Sequence, residues 1–341
     1  MRVTLKDIAV EAGVSPMTVS NVVNGKRARV SQATIDRILR IVEERGYVPS
    51  ASARSLAARS SRIIGLLVPA AGEDSLTISP HTVEIIGVLE RELRKHDHHL
   101  MLRGIDRIEE VAEALRSWNL DGAVLLGFQD VEIDRLGPEA VGRVALVAMD
   151  SYSQNPLAMG VRSDDFTGAE LAAKRLLELG HRRIAFAGPP FAATGVVRRR
   201  HDGFRNAFAE AGAPWEDAMV AAVETTRDDG RAFGRRLAAE HPDVTAVFAT
   251  ADILAIGVME GLAEAGLAVP DDVSVVGYDD LDIATFVTPK LTTVAQDIPA
   301  KASVAVRLLL GQITREEHPD AAITLGAKLI ERGTTAGPRS V

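Results

Sequence analysis

The feature that most constrains the fold of this chain is a regular alternation of short apolar runs with helical stretches, which begins at Ile63. The runs are apolar along almost their whole length, as expected of strands buried on both faces: 63–69, 100–104, 122–127, 144–149, 184–188, 219–223, 246–250 and 273–278. The segments between and after them predict helices near 82–97, 108–119, 167–179, 196–210, 229–240, 252–265 and 298–311. This alternation indicates an α/β fold with parallel sheets covered by helices, and eight strands fit either one large sheet or two.

The first 62 residues differ from the rest of the chain in charge. They hold 11 Lys and Arg against 5 Asp and Glu, a net +6, whereas the remaining 279 residues hold 28 against 42, a net −14. A small basic head on a large acidic body is typical of a polyanion-binding module joined to another domain.

Composition excludes several classes of protein. The 341 residues include no cysteine, which excludes disulfides, thiolate metal sites and a cysteine nucleophile. The N-terminal run MRVTLKDIAV carries charges where a signal peptide needs an apolar stretch, and no run approaches the ~20 apolar residues of a membrane span. We therefore expect a soluble, cytoplasmic protein with no membrane contact.

The basic head predicts three short helices. The first spans residues 5–12, the second begins at Pro16 directly after a tight turn, and the third follows Ser31. Two helices joined by a tight turn and followed by a third are typical of a helix-turn-helix unit. Residues with capping and stop propensity mark the helix ends: Thr4 with Asp7, Gly13, Ser15, Asn24-Gly25, Ser31 and Gly46.

In such a unit the second helix lies in the major groove of DNA. Val19, Val22 and Val23 would face the other helices. The outward side chains would offer an amide for adenine, apolar contacts for thymine methyls and hydroxyls for phosphate: Pro16, Met17, Thr18, Ser20 and Asn21. The alternative is a three-helix bundle whose positive charge only aids solubility, but it does not explain this spacing of caps, turn and outward polar residues.

The run TLKDIAVEAGVSPMTVSNVVNG, followed by RVSQATIDRILRIVEERGYVPSASARSLA, resembles the head of the lactose-repressor (LacI/GalR) family of bacterial transcription regulators. The resemblance extends over essentially the whole chain. It implies that Pro16, Met17 and Asn21 select the operator and that residues 50–58 form a hinge helix in the minor groove. The predicted DNA-contacting residues are Thr4, Ser15, Pro16, Met17, Thr18, Ser20, Asn21, Asn24, Arg29, Ser52, Arg54, Leu56 and Ala57.

Residues 50–58 also have a physical reason to fold only on DNA. They contain good helix formers but too little apolar surface for a stable isolated helix. Two copies in a dimer, with Leu56 wedged between base steps and Arg54 near phosphate, would supply the missing contacts. We expect a flexible linker without DNA and a helix with it.

The resemblance further implies two Rossmann-like, periplasmic-binding-protein-like subdomains, with the chain crossing between them near 160–163, 290–293 and 323–326. No heptad repeat follows Arg332, so we expect a homodimer rather than a tetramer built by a tail coiled coil. The predicted domains are a helix-turn-helix head (1–49), a hinge (50–61) and an effector-binding and dimerisation domain (62–341). Its N-subdomain is about 62–161 and 293–323, and its C-subdomain about 162–291 and 325–341.

Ligands of open α/β sheets bind beyond the carboxyl ends of the strands, which for two facing sheets is the cleft between them. Carboxylates and an arginine there suit a small, sugar-like or otherwise polar effector. The resemblance gives most support to Asp150, Arg198, Asp279 and Gln296. The predicted effector-binding residues are Ser79, His81, Asp150, Asp164, Arg198, Asp252, Asp279 and Gln296.

Three segments depart from the family pattern. Thr250-Ala251-Asp252 replaces the usual Ala-Asn-Asp, Thr225 stands where many members place an aromatic ring, and ISPHT at 78–82 replaces NPFF. A cavity without those aromatic rings is less obviously a sugar or purine site, so an unusual effector, or none, stays open.

The leading hypothesis is therefore a DNA-binding repressor on a pseudo-palindromic operator, without a cofactor. A solute-binding receptor accounts for the body but not for the head. The chain has no GxxxxGK[ST], GxSxG, HExxH or post-strand GxGxxG motif, so we expect no enzyme. His96, His98 and His99 straddle a helix end and a strand start, so we expect no metal site there, and Asp164 also fits a helix cap.

Overall fold

The computed structural model describes residues 3–47, 60–70, 78–215, 219–315 and 321–339. The chain divides into two compact units, Met1–Ser61 and Arg62–Val341, which we call the head and the body. The predicted hinge contacts lie outside the described residues: Ser52, Arg54, Leu56 and Ala57.

The head forms the three predicted helices, α1 (Leu5–Ala12), α2 (Pro16–Val23) and α3 (Gln32–Glu44). Their N-caps are Thr4, Ser15 and Ser31, whose hydroxyls each accept a hydrogen bond from the backbone N–H three residues later. Gly13 ends α1 at a φ of 63°, which lets the chain turn directly into α2. The sequence therefore sets the limits of these helices locally.

A small apolar core holds the head together. Arg45 bonds Glu11 at 2.8 Å and ties the end of α3 to α1. Val23, predicted to face inward, is only partly buried, whereas Ile35, Ile38 and Ile41 of α3 are buried. The core residues are Ile8, Ala9, Ala12, Val19, Val22, Ile35, Ile38 and Ile41.

The body alternates strands and helices as the apolar pattern predicts. Its strands are β1 (Ile63–Pro69), β2 (His99–Ile105), β3 (Gly122–Leu126), β4 (Ala145–Met149), β5 (Met159–Ser163), β6 (Ile184–Gly188), β7 (Val220–Ala222), β8 (Ala246–Ala249), β9 (Ser274–Asp279), β10 (Thr292–Ala295), β11 (Ala322–Leu325) and β12 (Lys328–Ile330). Its helices are α4 (Pro80–Lys95), α5 (Glu110–Ser117), α6 (Asp130–Ile133), α7 (Pro138–Val141), α8 (Asp165–Glu178), α9 (Val196–Glu210), α10 (Arg227–Glu240), α11 (Asp252–Glu264) and α12 (Ile298–Thr314).

Within the described residues the strands form two six-stranded sheets. The strand order is β11-β5-β4-β3-β1-β2 in the first sheet and β12-β10-β9-β8-β6-β7 in the second. We call the first sheet with its helices the first lobe, and the second sheet with its helices the second lobe. Among the described residues, neighbouring strands of both sheets run parallel, except β10 and β12, which are antiparallel. The prediction of two parallel α/β sheets is confirmed, and of the two arrangements that eight strands allowed, the chain adopts two sheets.

The segments predicted as crossings are themselves strands. β5 and β11 pair in the first sheet, whereas β10 and β12 pair in the second. Because β10 lies in the second sheet, the chain passes to the first lobe after Ala295, whereas the predicted crossing was near 290–293.

Glycines let α10 and α11 of the second lobe pack at close range. An ideal Cβ at Gly257 would lie 2.1 Å from the Arg227 carbonyl oxygen, and one at Gly261 would lie 2.1 Å from that of Arg231. Only a residue without a side chain fits these positions.

Among the described residues, no helix is long and apolar enough to span a membrane.

Candidate functional site

The head presents one face of α2 to solvent. Val19 and Val22 are fully buried against the other helices, whereas Met17, on the opposite face, is 70% exposed. Pro16 is also exposed, and Asn21 is partly buried. The structure therefore places the side chains predicted to read base edges on or beside the free side of this helix.

The other predicted DNA contacts of the head serve as caps or lie in a loop. Thr4 caps α1, and the Ser15 hydroxyl caps α2 and lies 2.9 Å from the Thr18 hydroxyl. Asn24 donates to the Ser20 hydroxyl at 3.2 Å. Arg29 is exposed between α2 and α3, close in sequence to two further exposed cations, Lys26 and Arg27. Cations and hydroxyls around a helix N-terminus can bind phosphate.

The body contains a cavity of about 710 Å³ between the carboxyl ends of its two sheets. This volume suits a small organic ligand. The cavity is lined by residues of both lobes, among them five of the eight predicted effector residues: Ser79, His81, Asp150, Asp279 and Gln296.

On the first-lobe side the central group is Asp150, which follows β4. Its Oδ1 accepts a hydrogen bond from the ammonium of Lys301 at 2.6 Å, and the lysine side chain is fully buried. Burial is the largest single influence and would raise the pKa of Asp150, but the charge and hydrogen bond of Lys301, together with His81 and Arg200, outweigh it and the pKa is lowered. Asp150 is therefore an anion at neutral pH.

Gln296 connects the two lobes, because it is hydrogen-bonded both to Lys301 and to Asp279. Its Oε1 accepts hydrogen bonds from Lys301 at 2.6 Å and from the Ser163 hydroxyl at 2.8 Å. Its Nε2 donates to Asp279 Oδ1 at 2.6 Å. A ligand that contacts Asp150 and Asp279 would therefore touch both ends of one continuous hydrogen-bonded chain.

On the second-lobe side the cavity arginine is Arg200. Its Nε donates to Asp165 at 2.8 Å, its Nη1 donates to the Thr250 carbonyl at 2.6 Å, and its guanidinium lies 3.6 Å from the centre of the Tyr278 ring. Asp165 also accepts from the Tyr152 hydroxyl at 3.0 Å. Burial raises the pKa of Asp165, and Arg200 opposes that rise.

Three predicted effector residues do not line the cavity. Arg198 is partly exposed and pairs with Asp202 at 2.9 Å, because α9 turns it away from the side that carries Arg200. Asp164 caps α8, as the alternative interpretation had it. Asp252 is fully buried beneath the cavity, where it accepts hydrogen bonds from the Leu281 backbone N–H and the Thr293 hydroxyl.

Several lining atoms make no hydrogen bond to any described residue. His81 Nε2 and Asp150 Oδ2 are both buried and lie 3.6 Å apart, too far for a hydrogen bond between them. Asp130 Oδ2 and the Thr250 hydroxyl are unpaired in the same way. Burial lowers the pKa of His81, so its ring is neutral at neutral pH. Unpaired buried polar atoms are costly, so these groups are suited to bind a polar ligand.

Sequence reasoning missed other residues of the site. Phe128 and Phe191 line the cavity, so it does contain aromatic rings. Thr225 and Ala251, two of the residues that depart from the family pattern, line it as well. The phenylalanines follow β3 and β6, so the same strand-end rule could have found them. The signal for Lys301 is that it interrupts the otherwise apolar buried face of α12.

Within the described residues no three potential ligands come together to hold a metal ion. Of the three clustered histidines, His98 faces the backbone carbonyl of His96 at 2.8 Å. The side chains of the three histidines do not form a metal-binding group, and none of them lines the cavity.

Comparison with known proteins adds the context for both sites. Residues 4–50 match the model of the lacI family of bacterial regulatory proteins, and residues 173–335 match a periplasmic binding protein-like domain. The ribose operon repressor of Escherichia coli K12 is 31% identical over 335 residues, covering 97% of this chain and 99% of that protein.

Two solved structures extend over nearly the same length. A complex of the transcriptional regulator CelR with cellobiose is 30% identical, with a TM-score of 0.72, and covers 98% of this chain and 100% of that one. The lac repressor dimer bound to operator and an anti-inducer has a TM-score of 0.85 with the same coverage, and at 24% identity it shows the shared fold.

Proposed function

Because the chain belongs to the lacI family of bacterial regulatory proteins, and is a DNA-binding regulator rather than an enzyme, we propose that it represses genes as a homodimer on a pseudo-palindromic operator. A small polar effector in the cavity of the body changes its operator affinity. Such a protein acts in the cytoplasm, where its operator lies.

For the head, the proposal rests on the exposed face of α2, with Met17 presented to solvent on a helix fixed by buried valines. The predicted contacts of the hinge, with Leu56 as wedge, belong to the same proposal. A homodimer would place two such heads on the two halves of an operator.

The experiment selects operators for the full chain from a random palindromic DNA library. Met17→Ala and Asn21→Ala should change the preferred base pairs, at about 1–3 kcal/mol per lost base contact. Arg29→Ala is the control: it should weaken all sequences alike and reduce the slope of log affinity against log salt by about one. Unchanged base preference in both α2 variants would contradict the assignment of the recognition helix.

For the cavity, one observation carries the proposal: buried, unpaired polar atoms surround it, among them the acceptor oxygens Asp150 Oδ2 and Asp130 Oδ2. Such oxygens accept hydrogen bonds from hydroxyl groups, which favours a polyhydroxylated effector. The names of two relatives, a ribose operon repressor and a regulator complexed with cellobiose, support the same class.

The test combines thermal unfolding with operator binding, using D-ribose, cellobiose and other uncharged sugars. An effector should stabilise the protein and shift operator affinity, typically by 1–3 kcal/mol of coupling, and operator should shift effector affinity equally. Asp279→Asn should abolish both effects of the effector and preserve operator binding. A sugar that acts equally on Asp279→Asn and on the parent would place the site elsewhere.

A further inference from the structure

Lys301 is a fully buried lysine whose charge the proposed function does not use. It lies in the first turn of α12, and its ammonium contacts Asp150 Oδ1 and Gln296 Oε1, each at 2.6 Å. A buried ammonium is tolerated only when it is paired and hydrogen-bonded. Asp150 is thus the counter-ion of Lys301. Asp150 lines the cavity and Lys301 does not, so Lys301 lies behind Asp150 as seen from the cavity.

This arrangement leaves one oxygen of Asp150 for a ligand. Asp150 Oδ2 lies 3.6 Å from His81 Nε2, and neither atom has a hydrogen bond to a described residue. A hydroxyl group both donates and accepts, so one hydroxyl placed beside the pair could donate to the carboxylate and accept from the imidazole. This local geometry fits a hydroxyl without any change of protonation.

Charge distinguishes the hydroxyl from its nearest substitutes. Lys301 and Asp150 together are neutral, so this pair gives a ligand ammonium at Oδ2 little net attraction, and the ammonium of Lys301 repels it. Arg200, which lines the cavity, is already paired with Asp165. A ligand anion would meet the carboxylate of Asp150, and no described residue on that side offers it an unpaired cation.

We propose that Lys301 is a specificity-determining residue of the cavity, which supplies from within the protein the positive charge that Asp150 would otherwise draw from a ligand. The cavity thereby selects an uncharged hydroxyl over an ammonium group beside Asp150 and His81. This inference rests on the proposed use of the cavity as an effector site.

The first test measures the imidazole pKa of His81 by NMR in the parent protein and in Lys301→Met. His81 is surrounded by Asp150, Asp279, Lys301 and Arg200. Removing the lysine charge and freeing Asp150 should raise the pKa of His81 by about one pH unit. The double variant Lys301→Met/Asp150→Asn, which buries no unpaired charge, should reverse that rise. An unchanged pKa of His81 in Lys301→Met overturns the proposal.

The second test uses the smallest probes of the two ligand classes, methylammonium chloride and methanol, at matched ionic strength. Methylammonium should raise the thermal unfolding midpoint of Lys301→Met but not that of the parent or of Lys95→Met, an exposed-lysine control. Methanol should not distinguish the three proteins. Equal methylammonium responses in all three overturn the proposal.

If Lys301→Met instead fails to fold, the double variant decides the matter. Without either charge it should fold, and it should show no methylammonium effect. A methylammonium effect in this double variant overturns the proposal. These readouts need neither operator nor effector, so they fail or succeed separately from the regulatory function.

Discussion

The two lobes of the body share a frame but differ in the chemistry that they bring to the cavity. Their strand orders correspond, so that β4 of the first lobe matches β9 of the second, and β3 matches β8. Asp150 follows β4 and Asp279 ends β9, and both have a positive φ, 52° and 118°. The same strand end therefore carries the same residue type at a positive φ, which is uncommon for residues other than glycine.

A second pair of aspartates fixes those strand ends. After β3, Asp130 accepts from the Tyr152 backbone N–H at 2.8 Å; after β8, Asp252 accepts from the Leu281 N–H at 2.9 Å. In each lobe a buried aspartic acid side chain thus holds the loop that follows the neighbouring strand. The backbone frame is repeated because the strand order is repeated.

The difference lies in what faces the strand-end aspartates. Asp150 has a buried ammonium as its partner, whereas Asp279 has the neutral amide of Gln296. The cation comes from α12, which packs in the first lobe. Equivalent backbone positions thereby acquire unequal electrostatics, and the following predictions separate the two.

The largest effect should come from removing the charge of each strand-end aspartate. Asp150→Asn leaves Lys301 buried without a counter-ion and should cost about 3–5 kcal/mol of the free energy of unfolding. Asp279→Asn loses only a hydrogen bond to an amide and should cost about 1 kcal/mol. Asparagine tolerates positive φ, so backbone strain does not confound the pair. Urea unfolding measures both, and equal losses would mean that the lobes are electrostatically alike.

Next in size is the packing of the lobes. Gly257→Ala in α11 would place a Cβ against the Arg227 carbonyl and should destabilise the second lobe by about 2–3 kcal/mol. Gly87→Ala in α4 of the first lobe meets no atom within 4 Å, so helix propensity should stabilise it by about 0.5–1 kcal/mol. Opposite signs in urea unfolding confirm the contrast, whereas a neutral Gly257→Ala would show that α10 and α11 can separate.

The sequence predicts those parts of the fold that are determined by residues close together in the chain. Caps such as Ser15 and the apolar run at β1 act within a few residues, so the head helices and the central strands were predictable. β5 and β12 are short and partly polar, and they become strands only through their partners in the sheets. Their assignment needs the tertiary structure.

The site was predictable to the extent that it follows strand ends. That rule placed Asp150 and Asp279 at the cavity, but it could not choose among three successive arginines, 198–200, because the rotation of α9 against the sheet decides which one faces inward. Nor could it find Lys301, since this residue lies inside a helix and reaches the cavity network through a contact distant in sequence.

A smaller effect should appear in the pH dependence of stability. Burial, with the nearby charge of Asp279, raises the pKa of Asp252 well above its ordinary value, so the native state holds a proton that the unfolded chain releases. Stability from this group is present below the unfolded pKa of about 3.9 and is lost as pH rises through the folded pKa. The lowered pKa of Asp150 acts oppositely, with stability lost as pH falls.

Asp252→Asn should therefore flatten the loss of stability between pH 4 and neutrality, by on the order of 1 kcal/mol. Unfolding free energies of parent and variant across this range give the difference directly. A difference that grows toward low pH would show that Asp252 is ionised in the native state, like Asp150.

The smallest expected change in stability distinguishes two arginines of the second lobe. Arg198 is partly exposed and pairs with Asp202 within one helix, so Arg198→Ala should cost only a few tenths of a kcal/mol. Arg200→Ala removes the buried partner of Asp165 and should cost several-fold more. Once an effector is identified, Arg198→Ala should respond to it like the parent, because its side chain does not line the cavity, whereas Arg200→Ala should lose the response. Calorimetric titration of both variants checks this. Loss of effector binding in Arg198→Ala alone would show that Arg198, the residue that the sequence favoured, contacts the effector. It would mean that α9 turns when the cavity is filled.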